Sequence, residues 1–378
     1  MKYDMVKLKE LCVVNQGLQI PISKRFKEPG ENRHFYITVQ FLKDSAENYY
    51  IGNPPKNVTC TENEILVVRT GNTGQVITGV AGCFHNNFFK VTPNERVYSK
   101  YLYYSLNNKR MYDTMLNAAS GTTIPDLKHS SFYDLKISLP KIDIQIKIAK
   151  ILDNICNKIK LNNQMNNNLY EVINKCFSKY LDELDDYEEL DIKEIFDFET
   201  GVEPGSKNYL ETKEEDTIRF YRVGDMDGSC KTFIKKDLAN NKFVNENDIV
   251  VSFDATIGRI GYALSGSYST GMKKISVKDK YKHIVDNSFV YAYFSNKDTQ
   301  NVIRENARGT TILHASSSID FMKFKYNEQF LERYSKLIST SFERMKNNKI
   351  ENQNLEKLRD TLLPKLMNGE IDLENIEI

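Results

Sequence analysis

The chain has 378 residues, of which 40% are apolar and 27% are charged. This composition is ordinary for globular proteins and excludes wholesale disorder, and the length suggests two domains or three small ones. The net charge is +1, but residues 1–140 carry 17 Lys and Arg against 12 Asp and Glu, and residues 185–327 carry 20 against 24. Total charge therefore neither indicates nor excludes a nucleic-acid partner, which needs only a local positive surface.

The N-terminus and the apolar runs bear on location. The longest runs, such as Ile65–Val68, are far shorter than the roughly 20 residues of a membrane-spanning helix. No secretory signal precedes them, so we expect a cytoplasmic protein with no membrane partner. The six cysteines form no C-x-x-C pair, and the five histidines do not cluster beside them. We therefore expect reduced thiols and no metal site.

The most informative feature is an internal repeat. Val6–Ser23 matches Leu190–Ser206 at a shift of 184 residues, which places Gly17 on Gly201. Three further matches follow in the same order, at shifts of 184, 188 and 189 residues: Glu62–Val76 on Glu246–Ile260, Ala119–Ile124 on Ala307–Ile312, and Lys160–Leu169 on Lys349–Leu358. Four matches in one order indicate a duplication in which surface loops have absorbed small insertions.

Each half has the same internal plan. A mixed segment comes first, with short β-like runs broken by Gly, Asn and Thr, and a helical segment follows. The pattern predicts a first domain at residues 1–140, a central helix at 141–184, a second domain at 185–327 and a C-terminal helix at 328–378.

Both helices carry the seven-residue pattern of coiled coils, with steps of four and three. The residues predicted to pack are Ile148, Leu152, Ile155, Ile159, Leu169 and Ile173 in the first helix, and Leu355, Leu358 and Leu362 in the second. The second pattern slips in phase across its polar middle, residues 347–354. Asn162 and Asn166 lie on the first seam, where a buried Asn would fix the register. The alternative is that the helices diverge there around water.

Two such helices are expected to bury their seams against each other. The heptads alone do not choose a direction, but the pseudo-twofold repeat favours an antiparallel pair. The sequence therefore predicts an α+β protein with two tandem α/β domains, joined by two long helices that form an antiparallel coiled coil.

The order of domain, helix, domain and helix resembles the specificity subunit of type I restriction–modification systems. Ile137–Leu152, ISLPKIDIQIKIAKIL, is similar to the family's proline-containing lead-in to its first helix. Leu358–Leu373, LRDTLLPKLMNGEIDL, is very close to the family's usual helix ending, and the GTTI segments look like its late Gly–Thr turn. The second half departs from the pattern, since Tyr326–Leu337 lacks the Leu–Pro lead-in.

The resemblance implies a non-catalytic DNA-binding subunit whose two target recognition domains each read one half of a split, asymmetric duplex sequence. The helices would space the two halves and dock two methyltransferase subunits. Those partners would bind S-adenosylmethionine and methylate adenine N6, and a motor–nuclease subunit would join to cut unmodified DNA. This chain itself would hold no cofactor.

Candidate DNA-contacting residues lie in two Gly-containing turns of each domain, because base readout needs polar groups and glycine lets backbone amides approach phosphate. In the first domain they are Arg69, Thr70, Asn72, Thr73, Gln75, Ser120, Thr122 and Thr123. Their counterparts by the repeat are Asp254, Thr256, Arg259, Arg308, Thr310 and Thr311. Candidate phosphate contacts are Lys24, Arg25 and Lys27. The alternatives are turns that only close the fold and a solvated basic run.

The alternative function is a self-contained DNA methyltransferase or nuclease that uses the same domains. Asn53–Lys56 imitates the methyltransferase N-P-P-aromatic turn, but Lys replaces the aromatic residue. Asp126 with Asp134 and Lys136 imitates a metal-dependent nuclease site, but Asp134 aligns with Met322 in the other half. Either enzyme would need a cofactor or metal motif of its own, and the sequence shows none.

Overall fold

The computed structural model describes residues 3–42, 47–121, 124–310, 313–374 and 376. The chain divides into two units. Unit 1 contains Met1–Cys156 together with Lys357–Ile378, and unit 2 contains Asn157–Glu356. Unit 1 is therefore built from both ends of the chain.

The described part of unit 1 contains ten short strands. They are β1 (Met5–Lys7), β2 (Cys12–Gln16), β3 (Arg33–Ile37), β4 (Tyr50–Gly52), β5 (Thr59–Cys60), β6 (Ile65–Val68), β7 (Val76–Ile77), β8 (Gly82–Phe84), β9 (Phe88–Pro93) and β10 (Lys136–Ser138). Two four-stranded sheets have the orders β2-β9-β6-β7 and β4-β3-β8-β5, and β1 pairs with β10. β3 and β8 run parallel, whereas β6 is antiparallel to both of its neighbours.

Unit 2 repeats this topology strand for strand within its described residues. Its strands are β11 (Glu188–Asp191), β12 (Phe196–Thr200), β13 (Thr217–Tyr221), β14 (Phe233–Lys235), β15 (Phe243–Val244), β16 (Ile249–Ser252), β17 (Ile260–Gly261), β18 (Gly266–Tyr268), β19 (Met272–Val277) and β20 (Lys323–Tyr326). The sheets have the orders β12-β19-β16-β17 and β14-β13-β18-β15, and β11 pairs with β20. The predicted duplication and α+β fold are confirmed.

The helices connect and cover these sheets. They are α1 (Ser99–Leu106), α2 (Lys109–Ala118), α3 (His129–Asp134), α4 (Ile142–Asp182), α5 (Ile192–Ile195), α6 (Asn287–Ser295), α7 (Lys297–Glu305) and α8 (Glu328–Asn368). The side chains of Asn108, Asp286 and Asn296 accept backbone N–H groups at the starts of α2, α6 and α7, which satisfies the donors that each first turn leaves open. No helix among the described residues combines the length and hydropathy that crossing a bilayer requires.

The apolar run in β6 is explained by burial on both faces of its sheet. Ile65 and Val67 enter a core that also contains residues of α1 and α4, whereas Leu66 and Val68 enter a second cluster with Ile37 of β3. Side chains alternate between the faces of a strand, so a strand between two cores has no polar positions. β6 therefore lies between two of the apolar cores of the first domain.

Gly17 and Gly201, which the repeat aligns, are points of close backbone approach. A Cβ on Gly17 would lie 2.3 Å from the carbonyl oxygen of His85, and one on Gly201 would lie 2.2 Å from that of Tyr268. Any side chain would force the neighbouring strand away. The glycine match found in the sequence therefore has the same steric cause in both domains.

The two long helices, of 41 residues each, pair in opposite directions. In unit 1, Ile148 of α4 shares a core with Leu366 of α8, and Lys147 Nζ donates to the carbonyl oxygen of Leu373 at 2.9 Å. In unit 2, near the C-terminal end of α4, Glu183 accepts a hydrogen bond from Tyr334, close to the start of α8. The partner numbers fall along α8 as they rise along α4, so the predicted antiparallel pair is confirmed.

A network of asparagines occupies the polar centre of this pair. Asn162 Nδ2 donates to Asn352 Oδ1 at 2.9 Å, and Asn348 Nδ2 donates to Asn166 Oδ1 at 2.8 Å. The helices are related by a shift of 186 residues, which turns Asn162 into Asn348 and Asn166 into Asn352. Applied to the Asn162–Asn352 hydrogen bond, this shift gives the Asn348–Asn166 hydrogen bond, so the two bonds are equivalent. Asn162 and Asn348 are both 1% exposed, so the helices stay in contact here and do not diverge around water.

The predicted seam of the second helix needs correction. Leu358 is 46% exposed and does not pack in the helix pair. The 186-residue shift equates Leu169 with Leu355, whereas the sequence match at 189 had placed Leu169 on Leu358. Three residues are nearly one helical turn, so both alignments leave apolar residues on similar faces and the pattern alone does not separate them.

The corrected phase continues through the middle of α8 without the predicted slip. Its buried positions follow steps of three and four through Ile338, Ser341, Met345, Asn348 and Asn352. The same steps lead on to Leu355, Arg359 and Leu362, which are half-buried, and to Leu366, which is 1% exposed. On α4, Ile148, Leu152, Ile155 and Ile173 are buried, and Ile159 and Leu169 are half-buried.

The C-terminal motif ends α8 and returns the chain to the core of unit 1. Gly369 follows the helix with φ at 71°, the left-handed conformation that glycine adopts most readily after a helix. The backbone N–H of Glu370 then donates to Lys365 at 2.9 Å. Leu373, 2% exposed, joins the core that contains Ile148.

We expect Gly201→Ala to lower the free energy of unfolding by about 2 kcal/mol or more, because the new methyl group collides with the carbonyl oxygen of Tyr268. Gly224→Ala is the matched control in the same domain, since a Cβ there meets no atom within 4 Å. Urea unfolding measured by circular dichroism tests the pair. Equal midpoints for the two variants would contradict the steric explanation.

The corrected helix phase predicts different outcomes for two leucines of α8. Leu366→Asp places a charge in the core of unit 1 and should cost about 3 kcal/mol or more. Leu358→Asp stays in solvent and should cost no more than about 1 kcal/mol, the difference in helix propensity. Thermal unfolding of the two variants distinguishes them, and a larger loss for Leu358→Asp would restore the original phase.

Candidate nucleic-acid interface

In the first domain, the two predicted turns are held together by one carboxylate. The guanidinium of Arg69, in the turn between β6 and β7, donates from Nε and Nη2 to the two oxygens of Asp126 at 2.6 and 2.9 Å. Thr70 Oγ1 donates to the same carboxylate at 2.9 Å. We call this set of contacts the loop clasp of the first domain. It is bidentate and charge-assisted, which is a strong geometry for a side-chain pair.

Backbone contacts complete the junction between the turns. Ser120 and Asp126 exchange hydrogen bonds of 3.0 and 2.8 Å, and the N–H of Leu127 donates to the carbonyl oxygen of Arg69 at 3.0 Å. Thr73 is 2% exposed, and its Oγ1 donates to Pro125 at 2.6 Å. This corrects the prediction for Thr73, whose side chain holds the turn together below the surface.

The remaining candidates of this domain divide by exposure. Asn72 and Ser120 are exposed, and Gln75 is half-buried with its Oε1 accepting from Asn72 Nδ2 at 3.3 Å. Thr122 and Thr123 lie outside the described residues. The exposed edge of the clasped turns therefore contains Asn72 and Ser120, while Arg69 and Thr70 are engaged with Asp126.

The electrostatics of the clasp favour its charged form. The hydrogen bond from Arg69 lowers the pKa of the Asp126 carboxyl, the bond from Thr70 acts in the same direction, and partial desolvation opposes both. Beneath the pair, burial and the charge of Arg69 lower the pKa of His129. The His129 ring packs edge-on against Phe89 at 5.3 Å, and its Nε2 is buried without a hydrogen-bond partner among the described residues. The lowered pKa favours the neutral form of His129 near the charged pair.

The second domain keeps the backbone frame of this junction and exchanges its side chains. Arg308 and His314 exchange backbone hydrogen bonds of 2.9 and 2.8 Å, and Ala315 donates to Phe253 at 2.7 Å. The side chains of His314 and Asp254 meet at 2.8 Å, between Nδ1 and Oδ1. By the repeat, Asp254 stands at the position of Thr70 and His314 at that of Asp126. The acidic residue is therefore in the later segment in the first domain, as Asp126, and in the turn after β16 in the second domain, as Asp254.

The other candidates of the second domain occupy different environments. Thr256, Arg308 and Thr310 are exposed, whereas Thr311 lies outside the described residues. Arg259 is half-buried, and its Nη1 donates to the carbonyl oxygen of Val223 at 3.1 Å. Its guanidinium is therefore partly committed to the fold.

The predicted basic loop is only partly available for phosphate. Arg25 donates from Nε and Nη2 to the carbonyl oxygen of Ile20 at 2.9 and 2.7 Å, and its guanidinium lies 4.9 Å from the ring centre of Tyr36. Arg25 therefore has a structural role. Lys24 is exposed, and Lys27 is a mostly exposed cation 3.9 Å from Glu47.

The predicted site lacks two residues that join the turns, Asp126 in the first domain and His314 in the second. The sequence around Asp126 suggests only a nuclease-like pair with Asp134, but Asp134 accepts a hydrogen bond from Lys7 Nζ at 2.7 Å. The repeat aligns Asp126 with His314. Two different polar residues at equivalent positions are the sequence signal that could have identified both as part of the site. Within the described residues, no group of three or more His, Cys, Asp and Glu side chains is arranged to hold a metal ion.

Comparisons with known proteins agree with this duplicated plan. The family model described as the type I restriction modification DNA specificity domain matches the chain twice, at residues 1–171 and 184–353. The type I restriction enzyme MjaVIII specificity subunit of Methanocaldococcus jannaschii is 26% identical over 194 residues, and the MjaIX specificity subunit of the same organism is 30% identical over 176 residues. These alignments cover 45% and 42% of this chain and only 44% and 40% of the relatives, so the matched stretches span less than half of either one.

A solved structure is similar over nearly the whole chain. The S subunit of a type I restriction–modification system from M. genitalium aligns with a TM-score of 0.59 and 18% sequence identity, over 97% of this chain and 96% of that one. At this level of identity, the similarity establishes the fold.

The clasp of the first domain predicts a pH-dependent stabilisation. We expect Asp126→Asn to lower the free energy of unfolding by about 1 kcal/mol at neutral pH, since the pair is partly screened by solvent. The folded state lowers the pKa of this carboxyl, so its stabilisation exists above the ordinary value of 3.8 and is lost as the pH falls below it. The difference between variant and wild type should therefore shrink in acid, as measured by urea unfolding at several pH values.

Asp134→Asn is the control for this prediction. Asp134 also pairs with a cation, Lys7, but its side chain is 67% exposed. The control should leave the unfolding midpoint unchanged. Equal effects of the two variants at neutral pH would show that the clasp adds nothing beyond a surface ion pair.

Proposed function

The chain belongs to the type I restriction–modification DNA specificity family, and from that premise we propose that it is the sequence-reading subunit of a type I restriction–modification complex. It binds double-stranded DNA and recognises a target in two separate, unlike halves. The observation that carries the proposal is the pair of domains with one topology and different side chains on the same turns.

The difference between the two turns supports an asymmetric target. Each base pair presents its own pattern of donors and acceptors in the major groove, so unlike side chains select unlike bases. The first domain exposes Asn72 and Ser120 beside a carboxylate that is paired with Arg69, whereas the second exposes Thr256, Arg308 and His314. Each domain then reads one half of the target independently of the other.

The helix pair is the proposed dock for two methyltransferase subunits. Three apolar residues of α4 are exposed, Leu161 by 59%, Met165 by 40% and Val172 by 38%. Because they are spaced by four and seven residues, they lie on one side of the helix. An apolar stripe on a long helix is typical of a surface that a protein partner covers. The stripe supports a role for the pair in assembly as well as in spacing the two domains.

The chemistry in this proposal belongs to the partners. The methyltransferase subunits bind S-adenosylmethionine and methylate adenine N6, a motor–nuclease subunit cuts unmodified DNA, and this chain needs no cofactor. The complex works on chromosomal DNA in the cytoplasm. The alternative is a self-contained methyltransferase or nuclease, and neither of the two curated relatives reported above is named as one, since both are named specificity subunits.

Deletion of the gene in its host should abolish one split, asymmetric N6-methyladenine motif, measured by sequencing that detects modified bases. Replacing residues 1–140 with the first domain of another family member should change one half of that motif and leave the other half intact. A change in both halves would contradict independent reading.

A biochemical control separates the proposal from its alternative. The purified chain alone, mixed with DNA and labelled S-adenosylmethionine, should transfer no methyl group, because its partners hold the cofactor. Addition of the methyltransferase subunit should restore transfer. Methylation by the chain alone would refute the non-catalytic role.

A further inference from the structure

Two positions that the repeat aligns, Asp126 in the first domain and His314 in the second, differ in exposure. The side chain of Asp126 is 27% exposed, and its oxygens accept from Arg69 and Thr70. The side chain of His314 is 63% exposed. On the same backbone, the Asp126 carboxylate of the first domain is hydrogen-bonded and mostly buried, whereas the His314 imidazole of the second domain is exposed to solvent.

The exposed imidazole is held in place from two directions. The backbone of His314 is fixed by its exchange of hydrogen bonds with Arg308, at 2.8 and 2.9 Å. Its ring is fixed by the 2.8 Å contact between Nδ1 and the carboxylate of Asp254. Asp254, 30% exposed, is the deeper member of the pair. Side chains that read bases need this kind of support, because a mobile group loses discrimination.

The contact with Asp254 occupies Nδ1 and leaves Nε2 as the other ring nitrogen. An ionised carboxylate has only acceptor oxygens, so the bond requires a hydrogen on Nδ1. In the imidazole tautomer with its hydrogen on Nδ1, the lone pair lies on Nε2. An exposed acceptor in a fixed orientation is the complement of an exocyclic amino group, the donor that adenine and cytosine present in the major groove.

We propose that His314 is a specificity-determining residue of the second domain, which accepts a hydrogen bond at Nε2 from the exocyclic amino group of a target base. Asp254 is its positioning residue. This inference rests on the proposed function, since it names one reading contact of the second half of the target. Asp254, which the repeat had suggested as a direct contact, acts through the histidine.

The surroundings of His314 suit a DNA surface. Arg308, directly across the backbone bridge, is exposed and supplies a cation of the kind that contacts phosphate. Thr310, in the same segment, is also exposed. Lys273 interacts with the charge of Asp254 and donates to Thr200 Oγ1 at 2.7 Å. The charge of Asp254 is thus partly balanced by Lys273.

The test is the methylation motif of a host strain that carries His314→Asn as its only copy of the gene. The asparagine amide keeps a donor at the place of Nδ1, so the contact with Asp254 survives, but it removes the group at Nε2. We expect discrimination at one base position of one half of the motif to fall about tenfold or more. The other half of the motif should stay unchanged.

Two further variants calibrate this result. His314→Gln keeps a polar group near the place of Nε2 and should retain part of the discrimination that the asparagine variant loses. Ser316→Ala changes an exposed residue two positions along and should leave the whole motif unaltered. Purified complexes of all variants are compared in thermal unfolding, and each should melt like the wild type.

The outcomes separate this inference from the function on which it rests. A wild-type strain without any split N6-methyladenine motif would remove the proposed function. A wild-type motif that His314→Asn leaves unchanged would overturn the role of His314 and keep the function. Loss of methylation at both halves, or relaxation at several positions, would show that His314 only supports the fold and would also overturn the inference.

Discussion

The burial of two heptad seams against each other constrains the rest of this chain. α4 and α8 each have 41 residues and an apolar stripe that would be costly to leave in water. They pair in opposite directions, so α8 ends beside the start of α4, and Leu366 and Leu373 enter a core begun by N-terminal residues. The buried amides of Asn162 and Asn348 fix the register of α4 against α8, because a shifted helix pair would leave these amides without hydrogen-bond partners.

The two domains share one backbone topology but differ in the side chains on their surfaces. The glycines at 17 and 201 and the bridges at Ser120 and Arg308 are structural constants with a steric or hydrogen-bonding cause. The side chains that tie the turns differ, since Arg69 pairs with Asp126 in the first domain and Asp254 with His314 in the second, while the backbone bridges are the same. Such a division suits a reader of two unlike half-sites, since specificity can change without changing the fold.

Some errors of sequence reasoning share a physical cause. A heptad pattern favours the apolar Leu358 over its neighbour Arg359, but the leucine is 46% exposed and the arginine is half-buried. Thr73 has the polar side chain that a reading turn needs, but its hydroxyl is used by Pro125 inside the turn. Composition and spacing describe what a residue can do, whereas its neighbours in space decide which of those interactions it makes.

The sequence by itself determined the duplication, the mixed domains, the long helices, the seam of α4 and the family. These properties are written in local periodicity and in self-similarity, which need no knowledge of distant contacts. Tertiary structure alone decided the phase of α8, the inward role of Arg69 and Asp126, and the outward position of His314. Each of these depends on partners roughly 55 to 200 residues away along the chain, such as the Arg69–Asp126 pair separated by 57. No one-dimensional pattern encodes that proximity.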